Sequence, residues 1–410
     1  MLNFFYINKE YLIKNIILFL LIYCSFESLL FGTNILISFK VYMISIYLVL
    51  EFIMLMMIVF KEKKLTFDKK DIFKCYILIS LIFFAQIYSY IRGYSFFCPQ
   101  YFYNVLIIII ALTFGKIYSQ DDFKKIFVNI MYYLAVFGII IYCLNILRID
   151  IPHFIVINKS NGIFYHYLLS ATVLPNKYSI LRLFGIFREP GVFAIFLSMA
   201  LFFELFFSQK IALRKLIVFI IAILLTFSTS GYIIMSLYLL IYFFSFTDYS
   251  KKSLFLKVLL ILFAISIFMF GISSEYNNFV FGKLYIENDS YNSRIYSLYS
   301  GFVLSFKNFF LGQGWDYIIT EFSNFVDNNY QIMNVHFTNT YLKMAVTYGW
   351  IFTLIILFYT FIFLKKKSFS KKQFILFIII WLMMFSNEDF ILNPIIYLIL
   401  FVRNKSYENS

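Results

Sequence analysis

Val105-Leu106-Ile107-Ile108-Ile109-Ile110-Ala111 carries no polar side chain and no alternation. Ile375-Leu376-Phe377-Ile378-Ile379-Ile380-Trp381-Leu382 reads the same way. A membrane β-strand would alternate apolar and polar residues over about 10 positions, so runs of this kind predict helices. Their density decides the class. Hydrophobic residues occupy 62% of 410 positions, charged ones only 14%, and mean hydropathy is +0.84. A water-soluble chain averages nearer half apolar and a quarter charged. We therefore expect an all-α integral membrane protein, a single polytopic domain over residues 1–410.

One helix needs about 20 residues to cross the hydrocarbon. Apolar runs near 12–31, 41–60, 72–91, 99–117, 126–147, 190–207, 214–229, 231–247, 254–273, 340–364, 373–387 and 390–402 give about 12 transmembrane helices. Eleven is the neighbouring count, because the last two runs are short. The first run lacks a small-residue cleavage site and is expected to be retained. Cys24, Cys75 and Cys143 fall in apolar runs and Cys98 stands alone, so neither a disulfide framework nor a metal cluster is expected.

The net charge of +14 points to topology, not nucleic acid. Positive charge stays on the cytoplasmic side during insertion. Lys61, Lys63, Lys64, Lys69, Lys70 and Lys74 fill one loop, then Lys116, Lys124 and Lys125, then Lys210, Arg214 and Lys215. Lys251, Lys252 and Lys257 follow, then Lys365, Lys366, Lys367, Lys371 and Lys372. With Lys9, Lys14, Arg403 and Lys405 the set takes 24 of 35 basic residues, in every second loop. Both termini are then expected in the cytoplasm. The opposite face has two long loops, 148–187 and 274–339, the second between spans 9 and 10. Ile295, Leu298, Tyr299, Phe302, Val303 and Phe306 recur there at helical spacing after a cap at Asn292 or Ser293. A second stretch has Ile319, Phe322, Phe325 and Val326. Two amphipathic helices on the membrane face are expected, joined through Leu311-Gly312-Gln313-Gly314-Trp315.

The remaining basic residues run against the insertion bias. Arg182 and Arg188 flank Leu183–Phe187, and Arg294 opens the first amphipathic helix. Guanidinium groups fork onto phosphate oxygens, so these three suit a lipid-linked phosphate or diphosphate; lipid headgroups or loop carboxylates are the plainer partners. Glu189, before Pro190-Gly191, suits either a helix N-cap or a proton acceptor. His336, at the mouth of a span, is a candidate general base. His153 and His166 have less context. No metal-ligand spacing is present. Glu27, Glu51 and Glu204 lie inside apolar runs, where carboxylates mark a proton path or pair with an interior polar group.

In order, the chain reads Arg182-Leu-Phe-Gly-Ile-Phe-Arg-Glu-Pro-Gly-Val-Phe-Ala194, then Thr226-Phe-Ser-Thr-Ser-Gly231. Ser293-Arg294, Phe310-Leu-Gly-Gln-Gly-Trp315 and His336-Phe-Thr-Asn-Thr-Tyr-Leu342 follow, with Tyr348-Gly349 later in the same span. This order, over roughly 182–350, resembles the O-antigen polymerase and O-antigen ligase superfamily of bacterial envelope glycosyltransferases. The resemblance implies a periplasmic, metal-independent glycosyl transfer in the inner membrane, with no cofactor. The donor would be a saccharide on undecaprenyl diphosphate. Arg182, Arg188 and Arg294 would hold the diphosphate, His336 would position or deprotonate the acceptor hydroxyl, and Glu189 would be a supporting or alternative base. Relatives often carry arginine in the outer turn where Thr229-Ser230 stand here, which removes the charge contact expected there. Glu189-Pro190-Gly191 favours a polymerase over a ligase. Membrane lipid and a chain-length regulator protein are the implied further partners. Outside this class the rival is a lipid-linked oligosaccharide flippase, which would show two related halves and short loops; a scaffold is the third reading.

Overall fold

The computed structural model describes residues 9–29, 37–62, 67–95, 98–158, 162–173, 181–246, 289–322, 324–326, 337–366 and 368–402. The protein is mostly helical. Its elements are α1 (Lys9–Tyr23), α2 (Ile37–Glu62), α3 (Lys69–Ile91), α4 (Pro99–Ile117) and α5 (Gln120–Ile146), then strands β1 (Phe154–Asn158), β2 (Gly162–His166) and β3 (Ala171–Val173). Next come α6 (Pro190–Phe206), α7 (Leu213–Leu225), α8 (Thr229–Phe246), α9 (Asp289–Lys307), α10 (Trp315–Thr320), α11 (Thr340–Leu364), α12 (Lys371–Phe385) and α13 (Pro394–Phe401). Among the described residues α3, α4, α5 and α11 are long and apolar enough to cross a membrane. Shorter apolar helices cover 44–60, 190–206 and 229–242. The expected span at 254–273 lies outside the described residues.

Helix starts follow local chemistry. Asp68, Asn339 and Asn393 cap α3, α11 and α13, each accepting from a backbone N–H of the first turn, and Pro99, Pro190 and Pro394 begin helices where no donor is needed. α1 stops at Tyr23, short of the expected 31, because Ser25, Glu27 and Ser28 follow and are all buried.

The chain divides into two compact units. Unit 1 comprises 1–130, 294–369 and 385–410. In it α4 packs on α13, α3 and α2, and α11 on α13 and α3. Unit 2 comprises 131–293 and 370–384. There α6, almost wholly buried, packs on α7 and α8.

Two departures from expectation matter. The 148–187 stretch contains an antiparallel sheet of order β1-β2-β3, with Ile155 opposite Tyr165 and Phe164 opposite Val173. The β-branched and aromatic residues there favour strands, so the fold is not purely helical. The second concerns where α9 starts; the apolar stripe on this helix is its exposed face. Ile295, Leu298, Tyr299, Phe302 and Phe306 are exposed, while Ser297, Ser300, Leu304 and Ser305 are fully buried. The helix starts at Asp289, so Asn292 and Ser293, expected to cap it, lie inside it. Small residues let helix backbones approach closely where no water drives burial of the aromatic side. A core of Leu304, Tyr317, Ile318, Phe322, Val326, Phe337 and Val346 then joins α9, α10 and α11.

Candidate functional site

In unit 2, Leu183, Phe184, Ile186 and Phe187 form a buried plug. Phe187 stacks on Phe193 and packs on Phe196 of α6, with centroids at 5.6 and 4.4 Å. The plug fixes the arginines on either side of it. Arg182 donates from Nε to Thr226 O at 2.9 Å and from a terminal nitrogen to Phe227 O at 3.0 Å. Leu183 N donates to Leu225 O. Arg182 thus satisfies carbonyls just past the C-terminus of α7, in the turn where Phe227 sits at φ +48°. Two of its donors are committed to the fold.

Arg188 is half-buried beside the start of α6. Glu189 is the N-cap residue with extended backbone, yet its carboxylate caps nothing. Glu189 thus stands at the N-cap position read from the sequence, where its charge meets the helix dipole without a side-chain hydrogen bond. A half-buried carboxylate at a helix N-terminus, next to an arginine, remains available for other chemistry.

In unit 1, Arg294 is exposed on α9. His336 lies outside the described residues, but the segment after it is fixed: Phe337 is buried in the core around α9 and Thr338 N donates to Ser297 Oγ at 3.1 Å. Ser297 is one turn along α9 from Arg294, about 4.5 Å of rise. Asn339 then caps α11, accepting from Leu342 N at 2.9 Å.

The glycine-rich motifs meet each other. α11 is broken at Gly349, where φ is +86°, which frees backbone groups that hydrocarbon would leave unsatisfied. The turn after α9 supplies them. Gln313 N and Gly314 N donate to Val346 O and Thr347 O at 2.5 and 3.1 Å, and Trp350 N donates to Phe309 O at 2.8 Å. A Cβ on Gly312 would stand 2.6 Å from the Thr347 carbonyl, one on Gly349 2.1 Å from Phe310 O. The strap 309–314 thus seats on α11 about 10 Å along the helix from Thr340, and it delivers Trp315. Trp315 Nε1 donates to the Tyr348 hydroxyl at 2.5 Å, and Lys343 lies 4.9 Å over the Trp315 ring while pairing with Asp389 at 2.5 Å.

Lys343, Asp389 and Arg92, which bonds to Gln313, were not singled out by sequence. Arg92 and Lys343 do stand among the basic residues left on the outer side, which was the available signal. The carboxylates in apolar runs all have polar partners: Glu27 accepts from Asn393 Nδ2, Glu51 from Thr113 Oγ1, and Glu204 from Ser208 Oγ and Ala212 N. His153 and His166 belong to the sheet region. His153 packs on Tyr165 at 4.0 Å, and His166 Nδ1 accepts from Leu168 N at 3.2 Å.

Residues 215–357 match a family model described as O-antigen ligase. Over that segment the match supports the resemblance to the O-antigen polymerase and ligase superfamily. The O-antigen ligase match covers about a third of the chain, taking in α7 to α10 and most of α11. Arg294, the strap, His336 and Lys343 fall inside it; Arg92, Arg182, Arg188 and Glu189 lie before it. No curated protein and no solved structure matches the chain.

Proposed function

We propose that the protein is an O-antigen polymerase of the bacterial inner membrane, with both termini cytoplasmic and the long loops 148–187 and 274–339 periplasmic. It passes a growing glycan from undecaprenyl diphosphate to a lipid-linked repeat unit. The O-antigen ligase match over the motifs Arg294, Gly312–Trp315 and His336 carries the glycosyl-transfer part of the reading, and Glu189-Pro190-Gly191 favours the polymerase within it. The order of those motifs and the basic residues placed against the insertion bias support it.

The acceptor hydroxyl oxygen attacks the anomeric carbon of the donor sugar, whose bond to the diphosphate oxygen breaks. Negative charge grows on the leaving diphosphate, and Arg188 and Arg294 stabilise it. The hydroxyl proton passes to His336, with Glu189 as the alternative acceptor. No metal is assigned to the step. Arg182, with two donors on carbonyls, acts as a positioning residue for the plug that carries Arg188. A chain-length regulator is the protein partner this reaction calls for.

Ligase activity is the second reading, because the matched family carries that description. Gene deletion separates them: a lost polymerase leaves single repeat units on lipid A–core, a lost ligase leaves unattached lipid-linked polymer. Arg188→Ala, Glu189→Gln, Arg294→Ala and His336→Ala should each insert normally and fail to build long chains. Wild-type chain lengths from all four would end the proposal.

A further inference from the structure

Arg92 is the C-cap residue of α3, a position that suits a cation through the helix dipole alone. Its surroundings are more specific than that role requires. The guanidinium carbon lies 5.8, 5.7 and 5.8 Å from the ring centroids of Tyr88, Tyr94 and Tyr317, and one terminal nitrogen donates to Gln313 Oε1. Tyr94 and Tyr317 meet edge to face at 6.2 Å and 83°. Arg92 is exposed and Tyr88 and Tyr94 are half-buried, so the guanidinium and parts of these two tyrosines are reached from outside, while Tyr317 is buried. Asp316 and Glu321 flank Tyr317 in sequence, the first half-buried and the second exposed.

The chemistry of this patch differs from that of an anion site. The one guanidinium and the Glu321 carboxylate both lie near Tyr317, and the next cation, Lys343, is already paired with Asp389. A diphosphate would find no surplus of positive charge. A sugar ring has other needs: an apolar C–H face to lie on an aromatic ring, and hydroxyls that both donate and accept. Tyrosine faces with an arginine and a carboxylate supply both. The support is also rigid. Gln313 and Gly314 are bonded to α11, and Trp315 N donates to the Tyr101 hydroxyl at 3.0 Å. Tyr317 and Gln313 are therefore held in place before any ligand arrives, which lowers the ordering cost of binding.

We propose that Arg92, Tyr94, Tyr317 and Glu321 form a saccharide-binding subsite, Tyr94 stacking on a sugar ring and the charged groups addressing its hydroxyls. That the saccharide is the acceptor of glycosyl transfer rests on the function proposed above; carbohydrate recognition at the patch does not. The test uses the full-length protein in nanodiscs and the delipidated surface polysaccharide of the host strain as probe. Saturation-transfer NMR should show sugar protons receiving magnetisation from the wild type. Tyr94→Ala and Arg92→Gln should weaken binding at least tenfold, Tyr94→Phe by less than twofold. Tyr317 belongs to the core, so Tyr317→Phe replaces the alanine variant there. In membrane vesicles with the donor fixed, Tyr94→Ala should raise the acceptor KM about tenfold and leave the donor KM unchanged. Absence of saturation transfer to the wild type overturns the subsite, as does equal binding by Tyr94→Ala. Intact binding alongside wild-type polymer from the Arg188 and His336 variants would sink the transferase reading and leave the subsite standing.

Discussion

Gly349→Ala is the substitution whose outcome tests the architecture most directly. At φ +86° and ψ +167° an alanine enters a region essentially restricted to glycine, at a cost of roughly 1–3 kcal/mol. Its Cβ would also stand 2.1 Å from Phe310 O, a backbone atom that can move only if the strap lifts. Lifting the strap breaks the bonds from Gln313 and Gly314 to Val346 and Thr347 and the bond from Trp350 to Phe309. Each is worth about 0.5–1.5 kcal/mol net. The expected loss is therefore roughly 3–7 kcal/mol. Gly93→Ala is the internal control. Gly93 has φ +90°, yet nothing lies within 4 Å of where its Cβ would be, so it should lose only about 1–2 kcal/mol. Unfolding of both purified variants in mixed SDS and detergent micelles gives the comparison. If Gly349→Ala falls within about 1 kcal/mol of Gly93→Ala, the strap does not hold α11 in the way described.

Arg182→Lys should lower stability by about 1.5–3 kcal/mol, because one ammonium cannot replace a guanidinium that reaches two separate carbonyls. The same melting measurement checks this, and a wild-type melting curve for Arg182→Lys would refute the positioning role. His166 gives a pH prediction. Burial pushes its pKa down to about 4, and Nε2 is buried without an acceptor. The unfolded chain takes up that proton near pH 6.5 and the folded one only near 4, so stability is full above 6.5 and falls by up to about 3 kcal/mol as pH drops to 4. His166→Asn should remove that part of the pH dependence of melting; an unchanged slope would show that His166 does not titrate this way.

The helices were legible because apolar runs leave little choice. The expected 99–117 and 340–364 coincide with α4 and α11, and 72–91 differs from α3 only at its start. Other features were hidden for physical reasons. The glycine motifs at 312–314 and 349 were visible as strings, but periodicity does not encode a bond between residues about 35 positions apart. The stripe on α9 was visible as helical spacing, but spacing did not show that Ser297, Ser300 and Ser305 form the buried face. The strands were missed because 148–187 was read as a connection, although Ile155-Val156-Ile157 and Gly162-Ile163-Phe164-Tyr165 are β-formers around a turn. Of the arginines, charge counting found Arg182, Arg188 and Arg294 on one expected face. It could not show that Arg182 reaches two backbone carbonyls while Arg188 stands beside a carboxylate with no capping bond.

The break in α11 bears on function through its cost. A continuous helix through 346–350 would satisfy the same carbonyls with no outside help, and alanine at 349 would favour it over glycine by about 1 kcal/mol. The chain instead interrupts the helix and supplies two glycines and a buried Gln313 to fill the gap. Folding alone gives no reason for that choice. Placement does: the strap is what sets Gln313 against Arg92, Trp315 against Lys343 and Tyr317 against Tyr94. Irregular backbone beside apolar helices is tolerated where protein or a polar cavity surrounds it, and it recurs at substrate sites of membrane proteins. Variants that close the helix should for that reason lose saccharide recognition before they lose insertion.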